Sequence, residues 1–250
     1  MSGRVDLNAD AAESSRDLEL FPQLSSVNLA CTAHAGDEAL LLAALGKARE
    51  LQLSAGAHPG YPDRENFGRL ELNLPSDRIL QLVADQLDLI GRLADRVGIT
   101  LSHVKAHGAL YHRLGTDVAV LRAVAAAAAG FRAGISLYLP AGPGFEGMRS
   151  ELADVAVKPV AEGFPDREYM RDGSLAPRSI SGSVISDPDK VAERAVIMAS
   201  GRPFATADGG ELCFRAETLC LHGDNPAAAG NAIAVRRGLA NAGFTVGGLS

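Results

Sequence analysis

Short β-prone runs alternate with Ala- and Leu-rich helical stretches along the chain, and this alternation restricts the fold more than any single motif. Strand-like runs are read at residues 4–8 (RVDLN), 27–31 (VNLAC), 53–57 (LSAGA), 101–105 (LSHVK), 135–139, 155–160 and 218–221. Helix-like stretches fall between them at residues 37–52, 76–97, 116–129, 144–152 and 187–200, and Asn225-Pro226 opens a last one. The clearest is 76–97, where Ile79, Leu80, Val83, Leu87, Ile90, Ala94 and Val97 make one apolar stripe. Asp37 is read as an N-cap, Thr116 as a cap with Gly130 as the stop, and Asp187-Pro188 as a cap followed by Pro at the first helical position. Consecutive strands joined through helices run parallel. About seven such units in 250 residues predict a (β/α) barrel, with an open doubly wound sheet as the alternative. Residues 163–182 form the longest irregular stretch, and loops of that length often carry function.

The polar residues sit just after the strand-like runs. Asn8, Asp10 and Glu13 follow the first, His34 and Asp37 the second, and His58 the third. Lys105 and His107 end the fourth, Glu162 follows the sixth, and His222 and Asp224 follow the seventh. In a barrel these positions converge at one end, where such folds place their active sites. Asn8 and Asp10 share a strand face if the first strand extends that far. Lys105 ends an apolar strand and must find a partner or carry a function, because an unpaired buried charge is costly. His103 reads as a packed core histidine and His112 as an exposed one. Asp37 and Asp224 are equally readable as capping or loop residues, and the three cysteines as small core hydrophobes.

Composition narrows the function classes. A formal charge of -6, with no Lys/Arg cluster, argues against a nucleic-acid surface. Residues 119–140 are the most apolar stretch, but they are Ala-rich and interrupted by Arg122 and Arg132, so no membrane span is expected. Cys31, Cys213 and Cys220 suit a reducing compartment, and the start of the chain has no apolar signal core; the expected location is cytoplasmic. No GxxxxGK[ST] phosphate loop is present in the sequence. The histidines and Asp10 could hold a divalent metal, although their spacing matches no short-range ligand motif. A metal-free acid/base site of Asp10, Lys105 and His107 is the other reading.

Six collinear segments carry a family resemblance: DLNAD (6–10), NLACTAHAGD (28–37), GAHPGYPDRENFGR (56–69), HVKAHGALY (103–111), DGSLAPRSISGSVI (172–185) and LCLHGD (219–224). Together they resemble the LamB/YcsF family from residue 5 to about residue 245. The resemblance implies one deacetylase-like (β/α) barrel domain of about seven parallel strands spanning 1–250. It implies ATP-dependent opening of 5-oxo-L-proline to L-glutamate, with Mg as the ATP counter-ion, in a complex with B and C subunits. Within the matching motifs, Asp10, Lys105 and His107 are the expected catalytic residues. Asn8, Glu13, Asn66, Arg69, Arg178, His222 and Asp224 are expected to bind substrate, and His34 and His58 a metal if one is held.

Three departures stand out. Ala12 replaces a glycine usual between the first strand and Glu13, so this loop is expected to be less able to take a positive φ. Thr32-Ala33 stands where the family often has Gly-Phe, and Ala106 where it has Pro. Two other functions stay open at this level. One is a metal-dependent amide or acetyl hydrolase using His34, His58 and Asp10. The other is a non-catalytic lactam-binding subunit.

Overall fold

The computed structural model describes residues 3–223, 225 and 227–249. Strands β1 (Arg4–Ala11), β2 (Ser26–Ala30), β3 (Ser54–His58), β4 (His103–Val104), β5 (Ile135–Pro140) and β6 (Val157–Gly163) pair in sequence order, all parallel. A short antiparallel hairpin, β7 (Phe204–Ala205) and β8 (Glu211–Leu212), interrupts the order. Strand β9 (Thr218–Leu221) then pairs with both β6 and β1, which closes a barrel of seven parallel strands. Strand β10 (Thr245–Val246) adds to the first residues of β1. The closed barrel settles the fold in favour of (β/α) over the open sheet.

Seven α-helices follow in chain order among the described residues: α1 (Glu38–Glu50), α2 (Ser76–Val97), α3 (Gly108–Leu114), α4 (Val118–Phe131), α5 (Phe145–Glu151), α6 (Pro188–Ser200) and α7 (Ala228–Asn241). The apolar stripe of α2 is buried at Ile79, Val83, Leu87, Ile90 and Ala94, whereas Leu80 is exposed. Gly98 ends α2 with φ +73°, a left-handed cap. Asp37 and Asp187 cap α1 and α6 as expected, each carboxylate accepting amide hydrogens of the first turn. Two caps need correction. Asp117, not Thr116, caps α4 by accepting from Ala119 and Val120, and Gly130 lies inside that helix. The last helix begins at Ala228 and not at Asn225, whose Oδ1 accepts from the Ala227 amide; Pro226 lies outside the described residues. Among the described residues, no single helix is long and apolar enough to cross a membrane.

The barrel lumen is polar. Asp6, Asn8, Ser26, Asn28, His103, Lys105, Glu162 and Thr218 are all buried. Asp6 accepts hydrogen bonds from Ser25, Ser26, Thr218 and Tyr138. His103 stacks on Tyr138 with ring centroids 4.2 Å apart, and its Nε2 lies 2.8 Å from Asn28 Oδ1. The glycine facing it is obligatory, since a Cβ on Gly56 would lie 2.2 Å from the His103 ring. A lumen in which nearly every polar side chain is hydrogen-bonded gives the mouth above it a rigid floor.

The glycine-replacing residues keep the glycine conformation. Ala12 has φ +60° and Thr32 has φ +66°. Such a φ costs a non-glycine residue about 1–2 kcal/mol, and a β-branched one such as Thr32 is a genuine outlier there. Both lie within two residues of a mouth side chain, Glu13 and His34 respectively. The expectation of a less adaptable loop at Ala12 is thus corrected: the turn forms and the strain stays in it. Ala12→Gly is expected to raise unfolding stability by about 1 kcal/mol, read by urea denaturation. A destabilised variant would show that the turn is not strained.

Candidate active site

The C-terminal ends of β1, β3, β4 and β6 bring Asp10, His58, Lys105 and Glu162 to one end of the lumen. Lys105 Nζ lies 2.8 Å from Asp10 Oδ1, 3.1 Å from Glu162 Oε1 and 3.0 Å from Cys220 Sγ. The partner that the sequence demanded for Lys105 is therefore a pair of carboxylates. Asn28 donates a further hydrogen bond to Asp10. Burial alone would raise the Asp10 carboxyl, but the charges of His58 and Lys105 outweigh it and hold the group well below its usual range. Burial would lower Lys105, yet Asp10 keeps it well above the usual amine value. Burial wins at Glu162, which is raised, and its Oε2 has no hydrogen-bond partner. Asn8 donates to Glu162 and Thr218 and is fully buried, so it braces the floor from below and does not line the cavity.

Beside this floor, Glu13, His34, His58 and His107 bring four ligand atoms within 4.8 Å of one another. His34 and His107 stack face to face, with centroids 3.8 Å apart. Gly68, at φ +64°, makes room for them; a Cβ there would come within 2.9 Å of His107 and 3.0 Å of His34. Such a set of imidazoles and one carboxylate could hold a metal ion.

A cavity of about 960 Å³ opens above both groups. Asp10, Glu13, His58, Lys105 and His107 line its floor, and Arg16, Arg69, Arg178 and His222 its walls and rim. His222 Nδ1 lies 3.0 and 3.1 Å from the two oxygens of Asp166, which also accept the His222 amide. Asp166 is buried, but the charge and hydrogen bonds of His222 hold its carboxyl below the usual value. Sequence reasoning missed Asp166. It follows β6 by three residues, so the strand-end rule that selected Glu162 would have reached it if extended into the loop.

Other expected site residues fall elsewhere. Asn66 is exposed, absent from the cavity lining, and closes a turn by donating to Asp63. Asp224 lies outside the described residues. Asp37 is an exposed cap. His112 is exposed and borders the cavity. Cys31 and Cys220 are buried, but Cys213 is exposed, which corrects the core reading for that residue.

Acid should destabilise the fold through two buried histidines. Burial lowers His34 from 6.5 to about 4 and His103 from 6.5 to about 3. As pH falls below their unfolded value, the unfolded chain takes up protons that the folded chain refuses, and stability drops. His58 acts in the opposite sense. Burial would lower it, but Asp10 raises it, so its contribution is full below its unfolded value and fades as pH rises through its folded one. Together His34 and His103 withdraw on the order of a few kcal/mol of stability between about pH 7 and pH 4 in metal-free protein, while His58 and the burial-raised carboxyls of Asp6 and Glu162 act in the opposite sense. Urea unfolding should show a smaller acid-side loss in His103→Gln than in wild type, and an unchanged pH profile would contradict this.

A closed seven-stranded parallel barrel with carboxylates, histidines and a lysine at its C-terminal mouth is a deacetylase-like (β/α) barrel. The chain belongs to the LamB/YcsF family, which it matches over residues 5–250. It is 42% identical to the 5-oxoprolinase A subunit of Thermus thermophilus, over 97% of this chain and 98% of that protein. The crystal structure of the lactam utilization protein from the same species superposes with a TM-score of 0.89 at 40% identity, covering 98% of this chain and 100% of the other. A polysaccharide deacetylase from Bacillus cereus shares the fold alone, with a TM-score of 0.52 at 12% identity, covering 99% of this chain and 92% of the other.

Proposed function

We propose that this chain, as a single barrel domain, is the lactam-opening component of a cytoplasmic ATP-dependent 5-oxoprolinase that works with B and C subunits. The observation that carries the reading is the meeting of the Lys105–Asp10 ion pair and of His222, hydrogen-bonded to Asp166 behind it, at one cavity of about 960 Å³. The likeness over nearly the full length to relatives named as the A subunits of 5-oxoprolinases supports it.

A five-membered lactam is a stabilised amide, so its hydrolysis needs driving. Transfer of the ATP γ-phosphoryl group to the lactam oxygen, with Mg²⁺ on the nucleotide and ADP leaving, makes the ring carbon electrophilic; water adds there, the C–N bond breaks as the nitrogen takes up a proton, and a second water cleaves the resulting glutamyl phosphate to glutamate and phosphate. The cavity is far larger than the small lactam needs, and it leaves room for phosphates or for a segment of another subunit. Lys105 supplies a fixed positive charge at the floor for the lactam oxygen and its developing negative charge. Asp10, held well below the usual carboxylate range, is a weak base and serves to keep Lys105 charged and aimed. Arg69 and Arg178 at the rim suit the substrate carboxylate and the phosphoryl group, where Arg binds as a planar fork. His222 has Nδ1 committed to Asp166 and presents Nε2; it carries the proton delivered to the ring nitrogen as the ring opens.

The test is glutamate formation from 5-oxo-L-proline in a mixture of this chain, its candidate B and C partners, ATP and Mg²⁺, with each component omitted in turn. Loss of product on omission of any component is expected. Glutamate from this chain alone without ATP would overturn the reading in favour of a stand-alone hydrolase.

A further inference from the structure

Arg194 is buried on α6, outside the cavity lining, with its guanidinium against the loop that follows β6. All three of its nitrogens are engaged there. Nε donates to the Pro165 carbonyl at 3.2 Å, Nη2 donates to the Arg167 carbonyl at 2.8 Å, and Nη1 faces Glu168 Oε2 at 3.2 Å. The carbonyl in between, that of Asp166, accepts the Ile185 amide at 2.9 Å. Three consecutive carbonyls are therefore tied, two of them by one planar fork. A buried guanidinium is costly unless its donors are matched, and these acceptors match it on three edges.

The fork holds the backbone of Asp166. With the peptides on both sides fixed, the Asp166 side chain keeps only its own two torsions, and its oxygens close on His222. They lie 3.0 and 3.1 Å from Nδ1, and Oδ2 accepts the His222 amide at 3.0 Å. The base of the fork is firm, since Asp187 caps α6 and α7 packs against it. Arg194 also lies over the Phe204 ring, 5.3 Å from its centroid.

We infer that Arg194 is a positioning residue for His222: it fixes the backbone on either side of Asp166 and, through that carboxylate, sets the tautomer and direction of the imidazole at the cavity wall. The planar fork matters more than the charge. A lysine is a single point donor and cannot bridge both carbonyls. Glu168, the ionic partner, also pairs with Lys190, and its side chain does not hold the Asp166 backbone.

The part His222 plays in turnover rests on the lactam reading, whereas its tautomer is a property of this chain alone. Long-range ¹H–¹⁵N spectra of the full chain report which ring nitrogen carries hydrogen, with His222→Gln used to assign the signals. In wild type the neutral ring of His222 should hold its proton on Nδ1. In Arg194→Gln the Nε2–H form should rise severalfold. In the assembled complex the same variant should lower kcat about ten- to a hundredfold, with KM for 5-oxo-L-proline little changed. Arg194→Lys should behave likewise, and it serves as the test if Arg194→Gln fails to fold as judged by circular dichroism. Glu168→Gln removes the ionic partner and leaves the fork on the carbonyls, so tautomer and kcat should stay at their wild-type values. A folded Arg194 variant with the wild-type tautomer overturns the inference. So does Glu168→Gln shifting the tautomer as far, since charge and not the fork would then hold the loop. If the tautomer shifts as expected but the wild-type mixture makes no glutamate, Arg194 keeps its role and the lactam reading fails.

Discussion

Replacing Lys105 by methionine is expected to lower glutamate formation by the assembled complex about a thousandfold, and to destabilise the chain by about 3–5 kcal/mol. Lys105 is buried with its ammonium between Asp10 and Glu162, so its removal leaves two buried carboxylates without their cation. Glu162, already raised by burial, will take up a proton; Asp10 will keep only His58 and the Asn28 amide. The methionine fills nearly the same volume, so packing contributes little to the loss. Urea unfolding reads the stability term and turnover at saturating substrate reads the rate term. Lys105→Met with Glu162→Gln should recover part of the stability and none of the rate. A folded Lys105→Met variant that turns over at the wild-type rate would remove Lys105 from the chemistry.

Asp166→Asn is expected to lower kcat by roughly a hundredfold to ten-thousandfold, with KM for 5-oxo-L-proline little changed. Asparagine has the shape of aspartate, but its amide nitrogen cannot accept from His222 Nδ1, and it carries no charge to favour a protonated ring. His222 then rests in the wrong tautomer or swings out of line with the ring nitrogen. His222→Gln should cost about the same, and the double variant no more than either single one, because the two groups act as a unit. Additive losses, or an effect confined to KM, would make Asp166 a binding residue only.

The sequence was most legible where one physical rule governs many positions. Alternating strand and helix patterns set the barrel, and the strand-end rule places Asp10, His58, Lys105 and Glu162 together from the sequence alone. It could not say that Lys105 chooses Asp10 and Glu162 while Glu13 chooses the histidines. Those pairings depend on lumen geometry, including the open space at Gly56 and Gly68. Asn8 was drawn into the candidate list by lying on the same strand face as Asp10. It sits one layer deeper, where its amide is consumed by Glu162 and Thr218. Caps followed chemistry that the sequence does show: a carboxylate at Asp117 outcompetes the neighbouring hydroxyl of Thr116 for the first amides of α4. Asp166 was hidden because the loop after β6 has no periodicity to align it with His222. Ala12 and Thr32 were visible as departures from the family pattern. Only the backbone shows that both retain a glycine-like φ.

The most direct test of the central claim is a structure of the assembled complex with 5-oxo-L-proline bound. The account predicts the lactam in the barrel mouth, with its ring oxygen toward Lys105 and its nitrogen within reach of His222. A lactam bound only within another subunit, with the cavity above Lys105 empty, would contradict it.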